Sequence, residues 1–273
     1  MIIDQFKHAL TRRNLNVAWQ DVAAGWKRWE LWSTMALQDT RQRYRRSVIG
    51  PFWLTLSMGI FIGALGLLYA VIFEQELETY LPYVAAGFIV WGLVSSLILE
   101  GGNTFIANEG MIRQLPAPVS TYVYRMVWGN LIIFAHNILV FVAVAVWFQT
   151  KISWALVFVL PGLALIALNG VWMGLLLGLV SARFRDIPQL LASVVQVTFF
   201  LTPINWLPDM LSGRTFIVDW NPIYHLIELV RAPLLGEMPS VLTLVASVVV
   251  TILGWLLAVL LFAVYRWRIP YWL

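Results

Sequence analysis

Four arginines fall within six residues, Arg41, Arg43, Arg45 and Arg46 in the run RQRYRR, and a few residues later the chain turns apolar. Guanidinium groups hold their charge and grip phosphate or carboxylate through paired N–H donors. The chemistry open to such a cluster is therefore capture of anionic groups. Its place against an apolar run serves first to hold the N-terminus inside, and the surplus charge points to anionic headgroups at a membrane surface. A second set of residues is polar but lies inside apolar windows: His136 and Asn137, with Asn169, Gln196 and Asn205. Such groups either hydrogen-bond between helices, at about 0.6 kcal/mol each, or offer a polar wall to a hydrophilic chain in passage. His136 and Asn137, near the middle of their window, are the best placed for the second role. A third set is aromatic and deep in the windows: Phe61, Trp91, Phe134, Phe141, Trp172, Phe199 and Phe200. They pack a core or meet lipid, or they form flat platforms on which sugar rings slide.

What is missing narrows the chemistry further. The chain has no cysteine, which removes disulfides, thiolate metal sites and a cysteine nucleophile. There is no G-x-x-x-x-G-K-[ST], no H-E-x-x-H and no G-x-S-x-G. The three histidines, His8, His136 and His225, lie far apart in the sequence. No metal site and no enzyme acting alone is expected. The apolar windows carry no Asp, Glu, Lys or Arg, the usual relay groups of ion-driven carriers. The net charge of +4 does not point to nucleic acid. Excess Lys and Arg on one side of a membrane protein has a topological cause.

The elements that must position these residues are membrane helices. Hydrophobic residues make up 60% of the 273 and charged residues 12%, against about a half and a quarter in soluble domains. About 20 apolar residues span a bilayer core. Six windows qualify: Pro51–Phe73, Leu81–Leu99, Met126–Gln149, Ile152–Ala182, Ile187–Trp206 and Val241–Tyr265. The fourth is overlong and is expected to break at Pro161. With the N-terminus inside, the inside segments hold 15 of the 18 Lys and Arg, the exceptions being Lys151, Arg214 and Arg231. That asymmetry predicts that both termini are cytoplasmic.

The chain thus reads as an all-α membrane protein: an N-terminal arm, 1–50, and a six-span domain, 51–273. The arm is too long and too charged for a cleavable signal peptide. Trp26, Trp29, Trp32 and Met35 recur at threes, which predicts one amphipathic interfacial helix. Pro222 after Asn221 starts a short helix in the apolar outside segment between spans five and six. Gly59-x-x-x-Gly63 and the series Gly170, Gly174, Gly178 are expected to be faces of close helix packing.

Four segments in order carry a family resemblance. RYRRSVIGPFW, NEGMIRQLPAPVSTYVYR, ARFRDIPQLLASVVQVTFFLTPINW and NPIYHLIELVRAPLLG, the last followed by YRWRIPYWL, resemble the polysaccharide-export permeases of ABC type-2 exporters. The resemblance covers nearly the whole chain. Those permeases move lipid-linked O-antigen, capsule or teichoic acid across the bacterial inner membrane. It implies a homodimer, paired with a separate ATPase subunit that uses ATP and Mg, while this chain binds no cofactor. It implies that Glu109, Met111, Ile112 and Arg113 belong to a short cytoplasmic coupling helix docking on the ATPase. It places Asn221, Pro222, His225, Glu228 and Arg231 in periplasmic gate helices. Glu228 and Arg231, at i and i+3, read as a surface pair of little weight. Phe61, Trp91, Phe134, His136, Asn137, Phe199 and Phe200 become the expected conduit lining, and the arginine cluster an entrance for the lipid headgroup. The alternatives are a type-2 permease for small lipids or drugs, and a membrane-bound enzyme of glycan synthesis.

Overall fold

The computed structural model describes residues 11–43, 50, 52–151, 153–211 and 216–273. Among these residues the regular structure is all helical. Two arm helices, α1 (Arg12–Lys27) and α2 (Trp29–Arg43), precede α3 (Phe52–Ile72) and the long α4 (Leu77–Ala107). The short α5 (Glu109–Gln114) leads to α6 (Ser120–Trp147). A 3-10 turn, Trp154–Phe158, runs into α7 (Val159–Arg183), then α8 (Ile187–Leu201). The far end of the bundle carries α9 (Phe216–Asp219) and α10 (Pro222–Leu234). The chain then returns through α11 (Val241–Tyr265) to α12 (Ile269–Trp272). Five of these, α3, α4, α6, α7 with its leading turn, and α11 with its C-terminal extension, are long and apolar enough to cross a membrane. The apolar α8 has 15 residues, about 22 Å at 1.5 Å per residue. It stops at Leu201, and the rest of the expected fifth span is irregular.

α4 is the hub. It packs on α3, α6, α7, α8 and α10, and its buried residues lie all around the helix. Glycines permit that crowding on the α7 side. A Cβ on Gly178 would sit 3.1 Å from both the Gly101 carbonyl and the Phe105 ring, and one on Gly101 would sit 3.3 Å from the Gly174 Cα. Small residues at such a crossing let backbones approach. The other glycine pair differs. A methyl added at Gly63 would meet nothing within 4 Å, and one at Gly59 would meet only Val140, at 3.7 Å. The expectation of close packing at Gly59 and Gly63 is not met within this chain.

Two further expectations are corrected. Pro161 does not break α7: it falls in the first turn, where a missing N–H leaves no hydrogen bond unmade. The arm is two helices, parted at Arg28, so Trp26 lies on one and Trp29, Trp32 and Met35 on the other. Trp26 and Trp29 are exposed while Trp32 is buried. The buried stripe of α1 is instead Ala18, Asp21, Val22 and Gly25, at the spacing of one helical face.

That stripe latches the arm to the bundle. α6 begins without a side-chain cap of its own. Asp21 supplies one from α1, accepting from the Ser120 N–H at 3.1 Å and the Val119 N–H at 3.4 Å. Its carboxylate also takes Arg266 at 2.8 Å, beyond the end of α11. The Ser120 hydroxyl and the Tyr124 hydroxyl donate back to the Asp21 and Val22 carbonyls. One buried carboxylate thus joins three elements. Asp21→Ala is expected to cost about 2 kcal/mol, the upper end for a lost cap, and Asp21→Asn about half as much. Thermal unfolding in detergent measures both, and equal midpoints for Asp21→Ala and the parent would show that the latch adds nothing.

Candidate functional site

α3, α4, α6 and α8 enclose a cavity of about 640 Å³. Five of the seven aromatic and polar residues expected to line a conduit come together on it: Phe61, Trp91, Asn137, Phe199 and Phe200. Phe88, absent from the expected set, completes the wall. Rings run in contact from Phe61 to Phe88 at 5.1 Å, Phe88 to Phe199 at 5.8 Å and Phe199 to Phe200 at 5.3 Å. Trp91 joins Phe199 at 5.6 Å. Phe88 and Trp91 are buried and fix the row, whereas Phe61 and Phe200 are exposed. Such edge and tilted contacts are the preferred aromatic geometries. The row is an apolar surface with flat faces, and it is held by backbone helices rather than by loops.

Phe134 and His136 do not line this cavity. Phe134 is buried elsewhere in the core. His136 spends one ring nitrogen on the Ile132 carbonyl at 2.8 Å, and its own carbonyl accepts from Thr55 at 3.0 Å. One residue step on a helix turns the side chain by about 100°, which here takes His136 off the wall that Asn137 lines. Asn137, Gln196 and Ser57 are the polar lining groups; Asn137 is buried, and its side-chain oxygen has no hydrogen-bond partner among the described residues. A buried amide oxygen left so carries a penalty of about 1–3 kcal/mol, which a hydroxyl donor entering the cavity would relieve. Asn169 is spoken for, donating to Thr251 at 2.8 Å and accepting from Trp172 at 2.8 Å.

At the far end of the bundle a second constellation surrounds the irregular backbone after α8. Exposed peptide groups have no water at membrane depth, so non-helical backbone there needs protein partners. Tyr83 donates to the Pro203 and Trp206 carbonyls at 3.0 and 3.2 Å, and Tyr80 to the Asn205 carbonyl. Arg231 donates to the Pro203 carbonyl as well and lies over the Tyr83 ring at 4.3 Å. Its Nε and one Nη both donate to the same Glu228 oxygen, the former at 2.8 Å. Arg231 is 1% exposed and Glu228 16%. The pair is therefore not the surface ion pair expected from spacing. Burial is the largest influence and opposes the Arg231 charge; the Glu228 carboxylate, by charge and by hydrogen bond, acts against it together with Tyr83 and Tyr224. Asn221 caps α10, accepting from the Ile223 and Tyr224 N–H groups, and donates to Thr202 at 2.9 Å. Pro222 takes the first helical position. His225, also buried, lies between the Asp219 carbonyl at 2.8 Å and the Thr243 hydroxyl at 3.1 Å. Tyr80, Tyr83 and Thr202 are the members that spacing did not reveal.

At the arm end, α5 stands between α4 and α6. Glu109 pairs with Arg113 at 3.0 Å and reaches Arg185 at 3.8 Å. Gly110, Arg113, Gln114 and Leu115 are exposed. Ile112 is buried in its own chain and the partly buried Met111 packs on the core, so these two anchor the helix. Arg125 braces the base of α5. It clasps Asp39 of α2 through two bonds of 2.6 Å and donates to Asn108 at 3.0 Å. Of the arginine cluster, Arg41 is exposed on α2 and Arg43 ends that helix. Arg45 and Arg46 lie outside the described residues. No group of His, Asp and Glu among the described residues is placed to hold a metal ion.

Comparison with known proteins bears on this geometry. A family profile described as ABC-2 type transporter matches residues 30–235. An O-antigen export system permease protein RfbA of Klebsiella pneumoniae is 22% identical over 197 residues, covering 70% of this chain and 74% of the relative. A protein of the same description from Myxococcus xanthus is 20% identical over 203 residues, 73% of this chain and 78% of the relative. A polysialic acid transport protein KpsM of Escherichia coli is 23% identical over 211 residues, 71% of this chain and 77% of the relative.

Proposed function

The chain belongs to the ABC-2 type transporter family, and from that premise we propose that it is the permease subunit of an ATP-driven exporter of lipid-linked polysaccharide, O-antigen first and capsule next. The observation that carries the substrate class is the aromatic row from Phe61 to Phe200 beside the Asn137 oxygen, which has no partner among the described residues. Sugar rings present apolar C–H faces and hydroxyl donors, and both find a match there. Weak stacking suits a chain that must keep moving. The relatives named for O-antigen and polysialic acid transport support the same class.

In this reading the conduit forms between two copies of the chain, and a separate ATPase subunit hydrolyses ATP. α8 and the irregular residues after it make the sixth crossing. The arm end faces the cytoplasm of a bacterial cell, in accord with the Lys and Arg asymmetry, and both termini lie on that side. Headgroup phosphates meet Arg41, Arg43, Arg45 and Arg46 at the entrance. α5 presents Glu109 and Arg113 to the ATPase, and its movement reaches α2 and α6 through Asn108, Arg125 and Asp39. α9 and α10 form the periplasmic gate, with Arg231 and Glu228 fixing its seat on α4. ATP binding in the partner shifts α5, and the glycan advances past the aromatic row.

Deleting the gene and staining the cell surface tests the proposal. The expected result is loss of the polysaccharide with lipid-linked glycan accumulating inside, restored by the intact gene. An unchanged surface glycan would end this reading and favour export of small lipids.

A further inference from the structure

A second cavity, of about 420 Å³, opens where the arm crosses the bundle. Its walls are Trp26 and Trp32 from the arm, Tyr124 and Trp128 from α6, and Trp255 from α11, over a floor from α7 that includes Ala167. The rings are braced on one another. Trp26 meets Tyr124 at 5.5 Å, and Trp32 meets Trp26, Tyr124 and Trp128 at 5.8 to 5.9 Å. The space is nearly three times that of a cavity of about 150 Å³ known to take benzene.

Trp32 marks the space as a site. It is 7% exposed, and its indole N–H has no hydrogen-bond partner among the described residues. A buried tryptophan N–H usually finds an acceptor. The neighbouring polar groups are already engaged: the Tyr124 hydroxyl donates to Val22 and the Trp255 N–H to the Leu168 carbonyl. No acceptor among the described residues takes this N–H, which leaves it to one from outside them. Exposed charge next to Trp26 in the chain narrows its nature. Lys27 and Arg28 follow Trp26 at the break between α1 and α2, both exposed, with Glu30 the nearest acid in sequence. Two exposed cations against one carboxylate beside Trp26 favour an anionic group there.

We propose that this cavity holds one anionic phospholipid from the leaflet on the arm's side. One acyl chain fills the aromatic crevice, an ester or phosphate oxygen accepts from the Trp32 N–H, and the headgroup charge meets Lys27 and Arg28. The site lies apart from the aromatic row of α3, α4 and α8 and does not depend on the substrate. Its role is to fix the arm against α6 and α11, the helices that Asp21 also joins.

Native mass spectrometry of the full chain, released from micelles doped with phosphatidylglycerol or phosphatidylcholine of matched chains, tests this. The parent is expected to retain one phosphatidylglycerol and at least threefold less phosphatidylcholine. Trp32→Phe, which keeps an aromatic ring and removes the N–H, is expected to lower phosphatidylglycerol retention at least threefold. Lys27→Gln with Arg28→Gln is expected to abolish the preference between the lipids. Ala167→Leu, which fills the floor, is expected to remove the adduct and carries the test should Trp32→Phe fail to fold. No adduct on the parent, equal retention of both lipids, or equal retention by every variant would overturn the proposal. So would an isoprenoid diphosphate carried from the cell in the phospholipid's place.

Discussion

Arg231→Met is expected to unfold the far end of the bundle more than any other single change of a charged residue. The guanidinium is 1% exposed and holds Glu228, the Pro203 carbonyl and the face of Tyr83 together. Removing it leaves a carboxylate that is only 16% exposed without its counter-charge. Breaking a buried pair from one side costs about 3–5 kcal/mol, most of it the stranded charge. The penalty should therefore fall when the other partner is also removed. Arg231→Met with Glu228→Leu is expected to recover at least half of the loss, because the Pro203 carbonyl keeps its bond from Tyr83. Thermal unfolding in detergent measures the three proteins. If the double variant is as unstable as the single one, the arginine acts through its carbonyl and ring contacts and the ion pair is incidental. In the proposed exporter, the same single variant loses transport, since the gate helix α10 loses its seat on α4.

The contrast between what the sequence disclosed and what it withheld follows from the range of the interactions. Apolar windows located α3, α6, α7 and α11 well, because hydropathy is a local property and a lipid-facing helix must satisfy it residue by residue. It failed at the end of α4. Glu100 and Asn103 closed the apolar window near Leu99, yet the helix continues to Ala107. Glu100 is accommodated by Asn130 of α6, which donates to it at 2.8 Å. It also misread α8, where apolar residues continue to Trp206 but the helix does not, since Thr202–Trp206 is held by Tyr80, Tyr83 and Arg231. Those partners are distant in sequence and nothing local announces them. The Glu228 and Arg231 spacing is the same whether the pair is wet or buried, so its weight could not be read. The aromatic row was partly legible: aromatic residues deep in a window were the right signal. Which of them share a wall is set by helix rotation, and that separates Asn137 from His136.

The two glycine motifs give the sharper test of how the wall is positioned. Gly59-x-x-x-Gly63 and Gly170-x-x-x-Gly174-x-x-x-Gly178 are alike as text. Gly178→Leu drives its Cβ to 3.1 Å from the Gly101 carbonyl and the Phe105 ring, and backbone oxygen cannot swing aside as a side chain can. Overpacking of this kind costs about 1–3 kcal/mol, occasionally more, and a leucine against backbone belongs at the top of that range. α4 carries Phe88 and Trp91, so a shifted α4–α7 crossing also breaks the aromatic row. Gly63→Leu meets open space and is expected to leave the unfolding midpoint within a degree or two of the parent. Cross-linking of the detergent-solubilised chain then adds the functional reading. In the proposed homodimer, a normal midpoint with loss of the cross-linked pair would put the seam between two copies on the α3 face, next to Phe61 and the mouth of the aromatic cavity. A Gly63→Leu chain as unstable as Gly178→Leu would mean that α3 packs inside the protomer more closely than its open face allows, and the cavity would then close on one chain alone.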